Sequence, residues 1–569
     1  MPRSRGPCLH PVPPPRSTPV TAARKHPKLR RLFHYQPCLV HWISSIFSLF
    51  VADAFGACFR DEFAHPTVRI PHENATIREE ESMTFVEVLP RMPNKALHCY
   101  LLMIVWILLL VAGVYKFLEP KQKLPEPAVN TELFHSLSND IKTRRIFKIC
   151  NFPQEISDGD EGIVLSKKWV MTGVIILIRH GDRGPLQHVR NITAVNCGTE
   201  ETEKFISYKA YLHNLTVSGR APWTGPGPFH DFPLLPTHPR QCQLGQLTMQ
   251  GISQLLKLGQ LLRDSYVQVW PKLASLTPSE ALVYSTRYRR TFQSALSFLY
   301  GLVPSETLTK LPVFESQSMN FCFKDCGCPV TDKLWKAVKK SISHQLKSHP
   351  AVALLAESTG RSLFSPGAEQ GTLGSDPHAV RDALLTYVCH GSGLPCETPS
   401  NCIKRQNVAG VFAYTDWVNY QKWRNVYWKR LCLLRSYGLI RHIVQQMLHM
   451  VSSNGPYLVL YSGHDHTVEQ LTTALGLQND PLLLRYGARV VFEVYQNYEE
   501  SHNGAKGIYF RLLSNGRDVT RQVSFCKDIV LLENKVSLCK IEDIVRFIHD
   551  DYFVSLNVTN FKDACNKSE

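Results

Sequence analysis

The sequence predicts an α/β fold: a doubly wound, mainly parallel sheet core with an inserted, mostly helical cap domain, preceded by one N-terminal transmembrane helix. Three observations carry this. Residues 174–178 (Val-Ile-Ile-Leu-Ile), 281–286 (Ala-Leu-Val-Tyr-Ser-Thr) and 457–462 (Tyr-Leu-Val-Leu-Tyr-Ser) are short uncharged runs rich in branched and aromatic residues. Such runs suit strands buried on both faces of a parallel sheet. Amphipathic helical patterns lie between them. Residues 101–114 form an unbroken apolar run, which with its flanks approaches the roughly 20 residues that cross a bilayer.

In chain order, residues 1–95 carry no domain. Residues 1–37 are rich in proline and arginine, the composition of a disordered segment. Residues 39–52 are apolar, but fourteen residues interrupted by His41 and three serines are too short to span. This part reads as a disordered or wrongly assigned extension, since Met92 begins a short basic tail directly ahead of the apolar run. Residues 96–115 read as a transmembrane signal anchor, with Tyr100 and Tyr115 at its ends as interfacial aromatics are. No small-residue cleavage pattern follows, which argues against a removed signal peptide. Residues 116–149, polar and bearing Pro120, Pro125 and Pro127, read as a stem, and residues 150–569 as the catalytic domain.

Flanking lysines and arginines do not fix the orientation of the span, whereas the cysteines do. Of 17 cysteines in the chain, 13 follow it, from Cys150 to Cys565. They show no second pair at zinc spacing, so a disulfide framework in an oxidising compartment is expected. Thirteen is odd, and Cys432, in a helix-like stretch away from the clusters, is the expected free thiol. Glycosylation sequons at Asn191, Asn214, Asn557 and Asn566 point to the same lumenal side.

The formal charge is +16, from 64 basic and 48 acidic residues, with 44% hydrophobic and 20% charged residues overall. The composition is that of a folded globular protein. No zinc finger, RNA-binding signature or basic helix of a nucleic-acid binder accompanies the charge, so a mildly basic surface is expected and nucleic acid is not expected as a partner.

The chemistry concentrates where the first strand stops. Residues 179–185 read Arg-His-Gly-Asp-Arg-Gly-Pro. Active sites of open α/β sheets lie just past the carboxyl ends of strands. A guanidinium stays charged and presents a fork matched to phosphate oxygens, and an imidazole can be a nucleophile. The motif therefore suggests phosphate held by arginines against a histidine. Behind the second strand come Arg287, Arg289, Arg290 and Thr291, and behind the third come Gly463, His464 and Asp465. Between the first two, Thr248 is expected to cap a helix whose apolar face holds Ile252, Leu255, Leu256, Gly259 and Leu262. Residues 334–346 and 417–448 look helical, and residues 305–450 are expected to form the cap. Paired strands over 488–496 and 507–513 close the domain.

Arg179-His-Gly-x-Arg-x-Pro185, the Ser285-Thr-x-x-x-Arg290 element and Gly463-His-Asp465, with residues 246–264 between them, resemble the histidine acid phosphatases, the larger branch of the histidine phosphatase superfamily. The resemblance covers roughly residues 150–569. It implies His180 as the phosphorylated nucleophile, Arg179, Arg183, Arg290 and His464 as phosphate contacts, and Asp465 as proton donor. It implies no cofactor and no metal, because arginines neutralise the phosphoryl charge. Arg287 departs from the family, which often has an acid there. It either makes the site more basic or is neutral surface variation. The anchor, the Cys322–Cys328 cluster and the tail cysteines Cys526–Cys565 most resemble Golgi members that remove the 2-phosphate from xylose in the glycosaminoglycan–protein linkage of proteoglycans. A single-pass type II Golgi membrane protein with a lumenal catalytic domain is thus expected, acting on a phosphorylated glycan or sugar phosphate beside other glycan-pathway enzymes. The alternatives are a broad-range lysosomal-type acid phosphatase and a catalytically silent binder of anionic glycans.

Overall fold

In a computed structural model of the chain, the described residues are 141–566 without 200, 365–372, 452–454, 478–483, 500–506, 528, 532–535 and 555, together with Ile104, Val105 and Leu108. The expected extension over 1–95 and most of the expected span over 96–115 lie outside them. No helix among the described residues is long and apolar enough to cross a membrane.

The strands in chain order are β1 (Trp169–Arg179), β2 (Ala281–Thr286), β3 (Val313–Ser316), β4 (Cys396–Thr398), β5 (Asn401–Cys402), β6 (Leu458–Gly463), β7 (Arg489–Asn497), β8 (Ile508–Ser514), β9 (Arg517–Asp518), β10 (Val530–Leu531) and β11 (Ser537–Lys540). The main sheet has the order β10-β11-β8-β7-β1-β6-β2-β3, with β9 on β8, while β4 and β5 pair separately. β1, β6, β2 and β3 are parallel neighbours, which is the sheet expected from the three uncharged runs. β7 lies antiparallel to β1 and pairs with β8 as the expected terminal hairpin, so the sheet as a whole is mixed.

Side chains of β1 alternate between two cores, as a period of two requires. Val174, Ile176 and Ile178 pack with the helices Glu203–Ser218, Met249–Tyr266 and Arg289–Leu302. Ile175 and Leu177 pack on the other face with Val330–Lys347, Val426–Val451 and Asp465–Ala474. Each such branched side chain, fully buried, contributes roughly 1.5–3 kcal/mol. Helices thus cover both faces, which explains why no polar residue interrupts the run.

Two expectations differ from the structure in detail. The helical pattern over 417–448 is two helices, Arg405–Arg424 and Val426–Val451. Asn425 between them is extended, and its Oδ1 accepts from the Trp428 backbone N–H at 3.2 Å, capping the second helix. Within the insertion expected over 305–450, Val330–Lys347 and Val426–Val451 pack on the sheet. A separate core gathers Leu363, Val380, Leu384, Val388, Val408, Val411 and Phe412 with Ile146, Phe147 and Ile149. The stretch Ile141–Cys150, most of it in the expected stem, is therefore a helix of this smaller unit, tied to it by the Cys150–Cys389 disulfide.

Five further disulfides join Cys197–Cys242, Cys322–Cys326, Cys328–Cys565, Cys396–Cys402 and Cys526–Cys539. Cys432 is the free cysteine among the described residues, buried as expected of an inert thiol. The four sequon asparagines Asn191, Asn214, Asn557 and Asn566 are all exposed.

Candidate active site

Three neighbouring parallel strands, β2, β6 and β1, end side by side. Arg179 pairs in register with Gly463 and Ser285 with Ser462. The residues that follow are therefore brought together although they come from three distant stretches of sequence. All six predicted site residues, Arg179, His180, Arg183, Arg290, His464 and Asp465, stand at this edge.

His180 leaves β1 with its backbone N–H on the Gly463 carbonyl, 3.0 Å, and its own carbonyl accepts from Gly487 N–H, 3.2 Å. Its Nδ1 lies 2.8 Å from the Gly181 carbonyl. A carbonyl only accepts, so Nδ1 carries the proton and Nε2 keeps its lone pair. Gly181 is demanded by packing: a Cβ there would stand 2.3 Å from the Gly251 carbonyl oxygen at the start of the Met249–Tyr266 helix. Thr248 caps that helix as expected, accepting from the Gly251 N–H at 3.1 Å.

Burial first, then the positive charges of Arg290 and Arg179, the His464 ring and Arg183, push the pKa of His180 well below the usual histidine value. His464 behaves alike, lowered to about 3 by burial and by Arg290. The two imidazole rings sit 5.6 Å apart, edge to face. His464 Nδ1 lies 3.4 Å from Arg290 Nη2. A guanidinium only donates, so Nδ1 accepts and Nε2 carries the proton, donating to Thr286 Oγ1 at 2.9 Å. Thr286 Oγ1 in turn lies 2.9 Å from Thr291 Oγ1.

The three arginines are held differently. Arg179 stacks on Tyr486, with Cζ 4.4 Å from the ring centroid, donates to the Leu484 carbonyl, and pairs through Nη2 with Asp465 Oδ2 at 3.0 Å. Arg183 is gripped by Asp382 from the helix Pro377–Cys389, at 2.7 and 3.4 Å. Burial opposes its charge, but Asp382 more than offsets this and keeps it firmly protonated. Arg290 lies over the Tyr288 ring, and burial with the neighbouring Arg183 lowers it to about 10, still a cation at neutral pH. Each guanidinium keeps a buried Nε without a hydrogen-bond partner.

Asp465 opens the helix Asp465–Ala474. Burial alone would raise its carboxyl, yet Arg179, with His466, His180 and Arg183, holds it well below the usual range. The free site therefore presents a neutral imidazole with a bare Nε2, a carboxylate, and three cations. That set can receive a multiply charged anion, attack it and exchange a proton with it.

With His180 as the expected nucleophile, the unprotonated ring it needs is lost only as pH falls through its depressed value. kcat/KM on an alkyl phosphate is thus expected not to fall between pH 7 and pH 5, and the expected role of Asp465 as proton donor, which requires its protonated form, points the same way. A pH–rate profile checks this; a decline centred near 6.5, the unperturbed histidine value, overturns it.

Sequence reasoning missed several participants. Asp382 carried no local signal, being one acid on a cap helix far along the chain from Arg183. Thr286 and Tyr288 stood within the second strand-end motif but without an assigned role. Buried Asp182, the unassigned position of the first motif, accepts from Thr248 Oγ1 at 2.6 Å and lies 2.8 Å from His390 Nε2. Arg287 does not join the site: it is mostly exposed, 3.9 Å from Glu315 on β3. One cluster of metal-ligand type among the described residues, Cys197, Cys242 and His390, is a disulfide plus a histidine engaged with Asp182.

The model of the histidine phosphatase superfamily (branch 2) matches residues 170–372 and 408–515. The chain is similar to 2-phosphoxylose phosphatase 1 of Xenopus tropicalis, 30% identical over 411 residues that cover 70% of this chain and 77% of that protein. It is 28% identical to the Homo sapiens protein of the same name over 427 residues, covering 74% of this chain and 85% of that one. Among solved structures, the apo form of Hafnia alvei phytase aligns at 15% identity with a TM-score of 0.43, over 71% of this chain and 100% of that chain.

Proposed function

The chain belongs to the histidine phosphatase superfamily, branch 2, and on that premise we propose that this phosphatase is a metal-independent phosphomonoesterase acting through a phosphohistidine at His180. We further propose that it removes the 2-phosphate from xylose in the glycosaminoglycan–protein linkage region of proteoglycans. The observation that carries the mechanism is the convergence of Arg179, Arg183 and Arg290 on an imidazole whose Nε2 is unprotonated.

The phosphoryl dianion docks among the three guanidiniums, whose fixed charges offset the charge that spreads over the phosphoryl oxygens, and beside His464, which contacts a phosphoryl oxygen once its Nε2–H turns from Thr286 Oγ1. His180 Nε2 attacks phosphorus in line. The N–P bond forms as the bond to the sugar oxygen breaks, and the departing oxygen takes a proton from Asp465. The incoming dianion shares Arg179 with Asp465 and adds negative charge beside it, which raises that carboxyl towards the protonated state it needs. Water then attacks the phosphohistidine, gives its proton to Asp465 and releases phosphate. Asp382 keeps Arg183 aimed at the substrate.

The sugar specificity is supported by the relatives named 2-phosphoxylose phosphatase 1. A lumenal Golgi location, with residues 96–115 as a type II anchor, is supported by six disulfides among the described residues, which need an oxidising compartment, and by four exposed sequons.

The deciding experiment compares a 2-phosphoxylose-containing linkage glycan with an aryl phosphate, each with and without a strong chelator. A clear preference in kcat/KM for the glycan, unaffected by chelation, is expected. Equal turnover of both substrates points instead to a broad-range acid phosphatase. Activity lost on chelation and restored by one metal overturns the arginine-based mechanism.

A further inference from the structure

The helix Val330–Lys347 carries Lys333, Lys336, Lys339, Lys340 and Lys347 against one acid, Asp332. Its apolar residues Leu334 and Val338 are buried, whereas all five lysines and His344 are exposed. Lys333, Lys336, Lys340, His344 and Lys347 follow one another at steps of three and four, so they share one face of the helix. From first to last that stripe is about 21 Å long at 1.5 Å per residue. Asp332 is met by Arg435 at 4.0 Å, and among the described residues the stripe lysines have no ion-pair partner.

A second basic stretch touches this helix at Ser341; two of its cations are already paired, Lys422 with Glu469 and Arg435 with Asp332. Ser341 Oγ accepts from Asn425 Nδ2 at 3.4 Å. Residues 417–435 around Asn425 hold Lys422, Arg424, Lys429, Arg430 and Arg435 and no acid. Tyr420 and Tyr427 are exposed there. Tyr420 and Trp423 stand 6.4 Å apart, with Lys429 5.1 Å from the Trp423 ring centroid. Lys422 in this stretch is itself buried, its Nζ bonding Glu469 Oε1 at 2.7 Å, on the helix that begins at Asp465.

Unpaired like charges along one face repel each other and are relieved by a polyanion. Rings flanked by cations suit a partner with both apolar faces and negative groups, a description that fits a chain of acidic sugars better than a lipid headgroup layer. We propose that this stripe and the basic stretch beside it bind a polyanionic glycan chain of the sulfated, uronate-containing class, guiding the chain whose phosphorylated sugar enters the site. The choice of glycan rests on the substrate reading given above.

The test uses the full-length protein in detergent and an unphosphorylated heparan sulfate oligosaccharide as probe. Binding is expected to be salt-sensitive. Replacing Lys333→Ala, Lys336→Ala, Lys340→Ala and Lys347→Ala together is expected to weaken it roughly tenfold or more, with kcat/KM on an aryl phosphate unchanged. Lysine-to-arginine changes at the same four positions are expected to restore binding, separating charge from fold. Unchanged oligosaccharide binding in the alanine variant overturns the proposal. So does tighter binding to duplex RNA, or to phosphatidylcholine vesicles with roughly 30% phosphatidylserine, than to the oligosaccharide. An alanine variant that loses oligosaccharide binding yet keeps its preference for the phosphorylated linkage glycan overturns the guiding role of the surface alone. Intact glycan binding without that preference sinks the substrate reading alone.

Discussion

His180→Ala is expected to abolish turnover on every phosphomonoester, by at least roughly 10⁴-fold. No other group at the site offers a free imidazole nitrogen to phosphorus: His464 spends Nδ1 on Arg290 and Nε2 on Thr286. The substitution leaves the cradle standing, since the one hydrogen bond of the His180 side chain goes to the carbonyl of the next residue. Inorganic phosphate should therefore still bind the variant, measured by calorimetry, while acid-labile phosphoprotein disappears from a quenched reaction. Residual turnover within about tenfold of the native rate excludes His180 as the nucleophile.

Asp465→Asn should separate substrates by their leaving groups. Asparagine keeps the size of aspartate, and its carbonyl oxygen can still accept from Arg179, so the geometry of the 3.0 Å contact survives. The variant cannot deliver a proton. A sugar alkoxide leaves poorly without one, and losing a general acid costs roughly 10²–10⁴-fold. An aryl oxide is a far weaker base and needs less help, so the aryl phosphate should recover much of that loss. Measuring kcat on both substrates decides the matter. An equal defect on both means that Asp465 acts through Arg179 alone and that the proton comes from elsewhere.

Much of this site is legible in the amino-acid sequence, for a local reason. Each segment of the candidate site is a strand end, and strand, stop and polar residues are contiguous in sequence: residues 174–183, 281–290 and 457–465 contain both the uncharged run and the groups it delivers. The Thr248 cap and the terminal hairpin are local in the same sense. Cys432 stands out by its distance from the cysteine clusters.

What the sequence by itself determined is which side chains stand where β1, β2 and β6 end, because these three strands hold no charged residue until their carboxyl ends, whereas the buried charges within β7 and β8, Arg489, Glu493 and Arg511, are held in ion pairs. Only the tertiary structure decided how those side chains are held. The grip of Asp382 on Arg183 spans 199 residues, the Lys422–Glu469 pair joins two helices from different parts of the chain, and Tyr486 slides beneath Arg179 from the turn before β7. The break at Asn425 is hidden in the sequence because helical periodicity runs on across a single capping residue. The disulfide partners of twelve cysteines are equally hidden, since pairing follows proximity in space. Contacts of this kind depend on how helices settle against the sheet, and that is fixed by the packing of whole faces rather than by any short run of residues.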